Sequence, residues 1–100
     1  MRRYKVLISD TARKMLVDQV YFLATVNPDA AQTLKSRMMS EIRSLSQVPE
    51  RFPYLEPENR KSRYRKMFVP NCYLVIYTVE GDTVLVEYIL DCRQDYQWLI

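Results

Sequence analysis

The sequence predicts a single α+β domain in which two helices cover one face of a largely antiparallel sheet. Three observations predict this fold. A short alternating segment near the N-terminus reads as a strand, two consecutive segments have helical periodicity, and three later segments have strand character. The 100 residues make one domain, 1–100, which is long enough to bury one core.

The first elements are a strand and a helix. Tyr4–Ile8 alternates weakly and predicts a short strand. Ser9 or Asp10 then offers an N-cap oxygen for a helix from about Thr11 to Val26. Spacings of three and four define one apolar face of this helix, formed by Ala12, Leu16, Val20 and Leu23.

A second helix follows at once. Asn27 suits the N-cap, Pro28 the first helical position, and Asp29 the positive end of the helix dipole. This helix ends before Pro49, and its predicted buried stripe is Ala31, Leu34, Met38, Ile42 and Leu45. So short a connection predicts a helical hairpin.

A polar connector and a three-stranded meander complete the fold. The connector, Gln47 to Asn59, contains three prolines. We expect the apolar side chains of Phe52 and Leu55 to pack it against the rest of the domain. The predicted strands are Tyr64–Val69, Cys72–Val79 and Thr83–Leu90, separated by turns at Pro70-Asn71 and Glu80-Gly81-Asp82. The middle strand is apolar on both faces, which places it inside the sheet.

Composition excludes several kinds of site. Gly81 is the only glycine, which excludes a glycine-cradled phosphate site, and the absence of histidine excludes His-ligated zinc and His-based nucleophile systems. Cys72 and Cys92 lack redox-pair spacing, and we expect them to be buried structural residues. We therefore predict no cofactor, no metal, no small-molecule substrate and no membrane partner. Without a signal peptide or long apolar run, a cytoplasmic location is expected.

A basic run leads into the meander. Five cations lie between Arg60 and Lys66, which suggests a surface that meets a large polyanionic or macromolecular target. Three other readings stay open: a solvated strand edge protected by charge, a dock for an acidic segment of a partner protein, or plain nucleic-acid binding. The net charge of +3 is modest, so a uniformly basic surface is not expected.

The order strand–helix–helix–strand–strand–strand resembles the RelE/ParE superfamily of toxins from bacterial type II toxin–antitoxin (plasmid stabilisation) systems. Three segments carry the resemblance across the chain: Tyr64–Val69, Tyr73–Tyr77 and Ile89–Tyr96. The resemblance implies a growth-arresting toxin neutralised by a cognate antitoxin. It also implies one of two targets, DNA gyrase for the ParE branch or messenger RNA on the ribosome for the RelE branch.

The two branches differ in the cations they need. The nuclease branch projects basic residues from adjacent strands onto one sheet face, and Arg65 matches the first of them. Met67 and Leu74 then stand where that pattern places further cations. Each charge-stabilising group typically accounts for about 2.7–4 kcal/mol of barrier lowering. The absence of these two cations should therefore impair RNA cleavage, which favours a toxin that acts by binding.

These considerations define the predicted site. Under the gyrase reading, the target-binding residues are Arg63, Arg65, Lys66, Arg93, Tyr96 and Trp98, with the sheet face left uncovered by the helices meeting the target. Under the alternative, a ribosome-dependent endoribonuclease, Arg65, Arg93 and Tyr96 are catalytic. A third alternative is an attenuated toxin that acts only as an antitoxin-binding corepressor.

Overall fold

A computed structural model of the protein describes residues 3–55, 63–70 and 72–91. In chain order the elements are strand β1 (Lys5–Ile8), helix α1 (Asp10–Val26), helix α2 (Pro28–Ser44), a 3₁₀ turn (Pro49–Arg51), and strands β2 (Arg65–Val69), β3 (Tyr73–Glu80) and β4 (Thr83–Asp91). The predicted α+β order is confirmed, and the four strands and helix α1 lie within one residue of their predicted bounds, whereas the 3₁₀ turn was not predicted.

Capping side chains set the limits of the helical hairpin. The Ser9 hydroxyl oxygen accepts a hydrogen bond from the Ala12 amide at 2.9 Å, so α1 begins at Asp10. Asn27 serves both helices: its amide donates to the Leu23 carbonyl at 2.8 Å, and its Oδ1 accepts from the Ala30 amide at 3.1 Å. One residue therefore ends α1 and starts α2, which forces the two helices to fold back on each other.

The sheet is mixed, with strand order β1-β4-β3-β2. The three later strands form the predicted antiparallel meander, and β1 joins its far side in parallel with β4. Gly81 has a φ of 58°, the left-handed conformation that the tight β3–β4 turn requires. Ile76 pairs with Tyr88 and Tyr77 with Val86, so Glu87 is an extra residue that forms a β-bulge in β4.

Apolar side chains are buried on both sides of the sheet. The main core lies between the helices and the covered face, and it includes four of the five predicted residues of the second-helix stripe, while the fifth, Ala31, is also buried. We call the opposite side of the sheet the far face. There a smaller cluster buries Leu55, Leu74, Ile76 and Leu90, so the middle of the far face is also withdrawn from solvent.

Two smaller expectations met different outcomes. Phe52 packs against the main core and Leu55 against the smaller cluster, so the connector is pinned as predicted. Cys72 is an exposed free thiol with a φ of 69°, so the expectation of a buried cysteine is wrong at this position. It stands at the turn into β3, outside the buried strand. Within the described ranges, no helix is long and apolar enough to cross a membrane.

Candidate functional site

Strand β2 sorts the predicted site residues onto opposite faces. Arg65 pairs with Tyr77 and Met67 with Val75, and these partners belong to the main core under the helices. Lys66 and Phe68 alternate with them and project from the far face. The expectation that Arg65 lies on the uncovered face is therefore wrong, because Arg65 lies on the same side of β2 as the buried Met67 and Val69.

The guanidinium of Arg65 is bonded within the chain. Its Nη1 donates to the carbonyl oxygens of Phe52 at 2.7 Å and Glu50 at 3.1 Å. Its Cζ also lies 4.1 Å from the centroid of the Tyr54 ring, a cation–π geometry. Arg65 thus holds residues 47–55, the described part of the connector, against the edge strand β2.

Two further side chains anchor the same connector. The Tyr77 hydroxyl donates to the Pro49 carbonyl at 2.6 Å in a fully buried position. Burial raises the pKa of Tyr77 to about 12, against the lowering effect of Arg65 and Arg51, so the phenol remains a donor at neutral pH. Arg51 donates to the Ser44 hydroxyl at 2.9 Å and to the carbonyls of Gln47 and Val48. No local sequence pattern names these partners, and the prediction missed them.

The far face carries carboxylates as well as cations. Arg63 Nη1 lies 3.4 Å from Glu80 Oε1, and both side chains are well exposed, so this pair contributes little stability. Burial raises the pKa of Glu87, Glu80 adds to the effect, and a hydrogen bond from Tyr64 opposes it. A phosphate approaching this face would meet Glu80 and Glu87, which disfavours a polyanion there.

Aromatic side chains lie beside these carboxylates. Burial is also the main cause that raises the pKa of Tyr64, followed by the Glu87 carboxylate. The Tyr64 ring meets Tyr88 edge-on, with centroids 6.2 Å apart. A hydroxyl, a carboxyl group and two rings therefore form one polar-aromatic cluster, which suits a protein surface with hydrogen-bond donors better than a phosphate backbone.

Phe68 is a surface residue that the sequence reasoning missed. Its side chain is 61% exposed on an edge strand, and the Lys66 ammonium lies 6.0 Å from its ring centroid. An exposed aromatic beside a cation is typical of protein-binding surfaces. The signal was present in the sequence, because strict alternation places Phe68 on the face opposite Met67 and Val69.

The remaining predicted site residues, Arg93, Tyr96 and Trp98, lie outside the described residues, as do Arg60 and Lys61 of the basic run. Across the three described ranges, no three Cys, Asp or Glu side chains come together in a metal-binding arrangement. Of the predicted contacts, the structure therefore brings Arg63 and Lys66 to the far face and separates Arg65 from them.

The family model of the ParE toxin of the type II toxin–antitoxin system parDE matches residues 6–96. A solved structure of the chromosomal ParDE toxin–antitoxin system from P. aeruginosa superposes with a TM-score of 0.70 at 16% identity, covering 89% of this chain and 96% of that one. A conserved hypothetical protein, HP0894 from Helicobacter pylori, gives a TM-score of 0.49 at 13% identity, with 86% and 91% coverage. No curated protein sequence matches the chain.

Proposed function

The chain belongs to the ParE toxin family of type II toxin–antitoxin systems, and we propose that it arrests growth by binding DNA gyrase until an antitoxin neutralises it. Membership of this family implies an antitoxin partner. The gyrase target, the arrest of growth and the cytoplasmic site of action are parts of the proposal. Arg63 and Lys66 are the proposed contacts among the described residues, joined by Arg93, Tyr96 and Trp98.

One observation carries the choice of a protein target over RNA cleavage. The guanidinium of Arg65 is engaged by the carbonyls of Glu50 and Phe52. A nuclease needs unengaged cations around the scissile phosphate, because these stabilise the charge that develops in the transition state. Met67 and Leu74, at the other positions where cations are needed, are fully buried. The role of Arg65 in toxicity is then indirect, through the connector that it holds.

The far face adds a second line of support. Its surface groups are mixed: Arg63 and the half-buried Lys66 carry positive charge, the exposed Glu80 carries negative charge, and the exposed Phe68 is apolar. Protein–protein interfaces combine aromatic, arginine and polar groups in this way, whereas nucleic-acid interfaces are strongly positive. Gyrase, a protein, suits this surface better than messenger RNA.

The test compares two activities of the purified chain. Gyrase-catalysed supercoiling of relaxed plasmid should be inhibited in proportion to the toxin added. Translation-coupled cleavage of a reporter messenger RNA, read by primer extension, should show no new cuts. Codon-phased cuts with unaffected supercoiling would contradict the proposal.

Tyr96→Phe separates the two readings in cells. A ribosome-dependent endoribonuclease built on Arg65, Arg93 and Tyr96 loses its hydroxyl and with it toxicity. The gyrase reading expects growth arrest to persist, because phenylalanine keeps the aromatic ring that is proposed to contact the target. Folded, soluble chain that leaves growth unaffected on overexpression would instead indicate an attenuated toxin acting as a corepressor. A thermal melt of each variant shows that it is folded.

A further inference from the structure

Val48, at the start of the connector, has a backbone conformation that its side chain disfavours. Its φ of 45° and ψ of 62° lie in the left-handed region, which glycine and asparagine adopt far more readily than a β-branched residue does. Such a conformation costs free energy and persists only where the surrounding structure enforces it. Val48 is therefore a strained position, and the contacts around it must hold it there.

Hydrogen bonds on both sides of Val48 enforce this conformation. The Arg51 guanidinium donates to the carbonyl oxygens of Gln47 and Val48. Pro49, the next residue, is buried, and its carbonyl oxygen accepts a hydrogen bond from the Tyr77 hydroxyl at 2.6 Å. We call residues 47–49 the connector tip. These bonds fix its backbone in one conformation, so a partner that binds the tip would not have to order it first.

Within the described residues, burial of the side chain does not offset the strain. Val48 is 55% exposed, so more than half of its apolar side chain remains in water. The position is thus unfavourable in two respects, the backbone conformation and the contact of an apolar group with solvent. Enforced strain of this kind is typical of binding sites, where it holds a side chain ready for contact.

A pocket beside Val48 indicates the chemistry of the partner. It has a volume of about 380 Å³ and lies between the end of α2 and the connector, with Arg43 in its lining. Arg43 is exposed, and its Nε donates to the Met39 carbonyl at 3.2 Å, while its two Nη atoms have no acceptor in the described part of the chain. A guanidinium with N–H groups to spare pairs best with a carboxylate. The pocket therefore fits a segment that carries a carboxylate beside an apolar side chain.

We propose that the connector tip is a second contact for the target protein, and that it receives an acidic segment whose apolar side chain packs on Val48. This inference rests on the proposed function, which supplies a protein target. It assigns Arg65 and Tyr77 a positioning role, because both hold the connector that presents the tip.

Continuity with the far face favours the target as the occupant. The connector runs from Val48 to Leu55, which belongs to the buried cluster of the far face. Even a fully extended chain between these two residues spans at most about 25 Å. A protein interface of ordinary size, about 800 Å² per partner, covers that distance. One target molecule on the far face can therefore reach the connector tip as well.

The experiment measures inhibition of gyrase supercoiling by the full chain, together with its melting temperature. Val48→Asn should weaken inhibition by tenfold or more, because the apolar contact is lost. Its melting temperature should be unchanged or higher, since asparagine tolerates the left-handed conformation. A purely structural valine would not separate the two measurements in this way. Val17→Asn is the matched control: Val17 is 54% exposed on α1, and its loss should leave inhibition unchanged.

Arg43→Gln tests the same surface without altering the strained backbone. The variant should weaken inhibition by roughly tenfold at low salt and by less at high salt, because the lost contact is between charges. Lys35→Gln removes one positive charge from the exposed surface of the same helix and should inhibit as the unaltered chain does.

The outcomes separate this inference from the proposed function. Inhibition by Val48→Asn and Arg43→Gln within threefold of the unaltered chain would overturn the contact at the connector tip and leave the gyrase proposal intact. Unchanged inhibition with weakened binding of the purified antitoxin in calorimetry would also overturn it, by assigning the tip to the antitoxin. Failure of the unaltered chain to inhibit gyrase would defeat the proposed function, and this inference with it.

Discussion

Arg65 Nη1 and the carbonyl oxygen of Phe52 lie 2.7 Å apart, across a sequence separation of 13 residues. The contact joins the edge strand β2 to the connector that leads from α2. Beside it, the Leu55 amide donates to the Tyr64 carbonyl at 2.8 Å and the Lys66 amide to the Pro53 carbonyl at 3.0 Å. The connector therefore covers the edge of β2, which is protected against pairing with other chains.

Removing the guanidinium should destabilise the fold. Arg65→Ala deletes two charge-assisted hydrogen bonds and the contact with Tyr54, and we expect the free energy of unfolding to fall by about 2–3 kcal/mol. Arg65→Lys keeps the charge but not the two-acceptor geometry, so it should recover only part of the loss. Urea denaturation followed by circular dichroism measures both values. Equal stability of the alanine variant and the unaltered chain would show that the connector is held without Arg65.

The buried hydroxyl of Tyr77 should make stability fall at alkaline pH. Its folded pKa of about 12 lies above the ordinary 10.0, so the native state keeps a proton that the unfolded chain releases. The contribution is fully present below pH 10 and is lost as the pH rises toward 12, amounting to about 2–3 kcal/mol.

Tyr77→Phe tests this titration. The variant loses the hydrogen bond to Pro49 and should be less stable at neutral pH by about 1–2 kcal/mol. Its stability should decline less steeply than that of the unaltered chain between pH 10 and pH 12. Parallel slopes in urea titrations across this range would show that Tyr77 does not titrate in the folded state as expected.

Glu87 should also make the stability of the fold fall as the pH rises, but in the acidic range. Burial raises its folded pKa above the ordinary 4.5, so its stability contribution is fully present below that value and is lost as the pH rises through the folded pKa. The difference in stability between Glu87→Gln and the unaltered chain should therefore favour the variant more at pH 7 than at pH 4. Melting temperatures of both proteins at the two pH values give the comparison, and a pH-independent difference would refute it.

Substitutions on the far face should impair target binding without unfolding the protein. Lys66→Glu reverses a proposed contact charge, and Phe68→Ala removes an exposed ring from the same strand. Both should reduce inhibition of gyrase supercoiling by tenfold or more, since a few central side chains dominate such interfaces. Lys35→Glu makes the same charge change on the exposed surface of α2 and should leave inhibition unchanged. Inhibition by all three variants equal to that of the unaltered chain would place the target contact elsewhere.

Local signals were enough to predict most of the fold. Asn27-Pro28 is a capping residue followed by a ring that fits only the first helical turn, and the pair divides α1 from α2 as expected. The continuous apolar run from Tyr73 to Tyr77 placed β3 inside the sheet, and all five of its side chains are buried. These signals depend on neighbours in the chain, which the sequence displays directly.

The site was harder to predict because its contacts are distant in the sequence. The acceptors for Arg65 and Tyr77 are main-chain carbonyls, which every residue has, so residue type alone cannot name them. The basic run suggested a single charged surface, yet the pleat divides Arg65 from Lys66. The apolar residues Met67 and Val69 are spaced two apart from Arg65, and residues two apart in a strand lie on the same face, so the strand period predicts this division.

The pairing of β1 with β4 determines when the molecule can acquire its shape. Lys5 stands opposite Thr83, so the first strand has no neighbour in the sheet until the last one has been synthesised. Nearly the whole chain must therefore leave the ribosome before the sheet can close, and long-range pairing of this kind is slow. A chain that ends before Thr83 therefore leaves Lys5–Ile8 without its partner strand and cannot form the complete sheet.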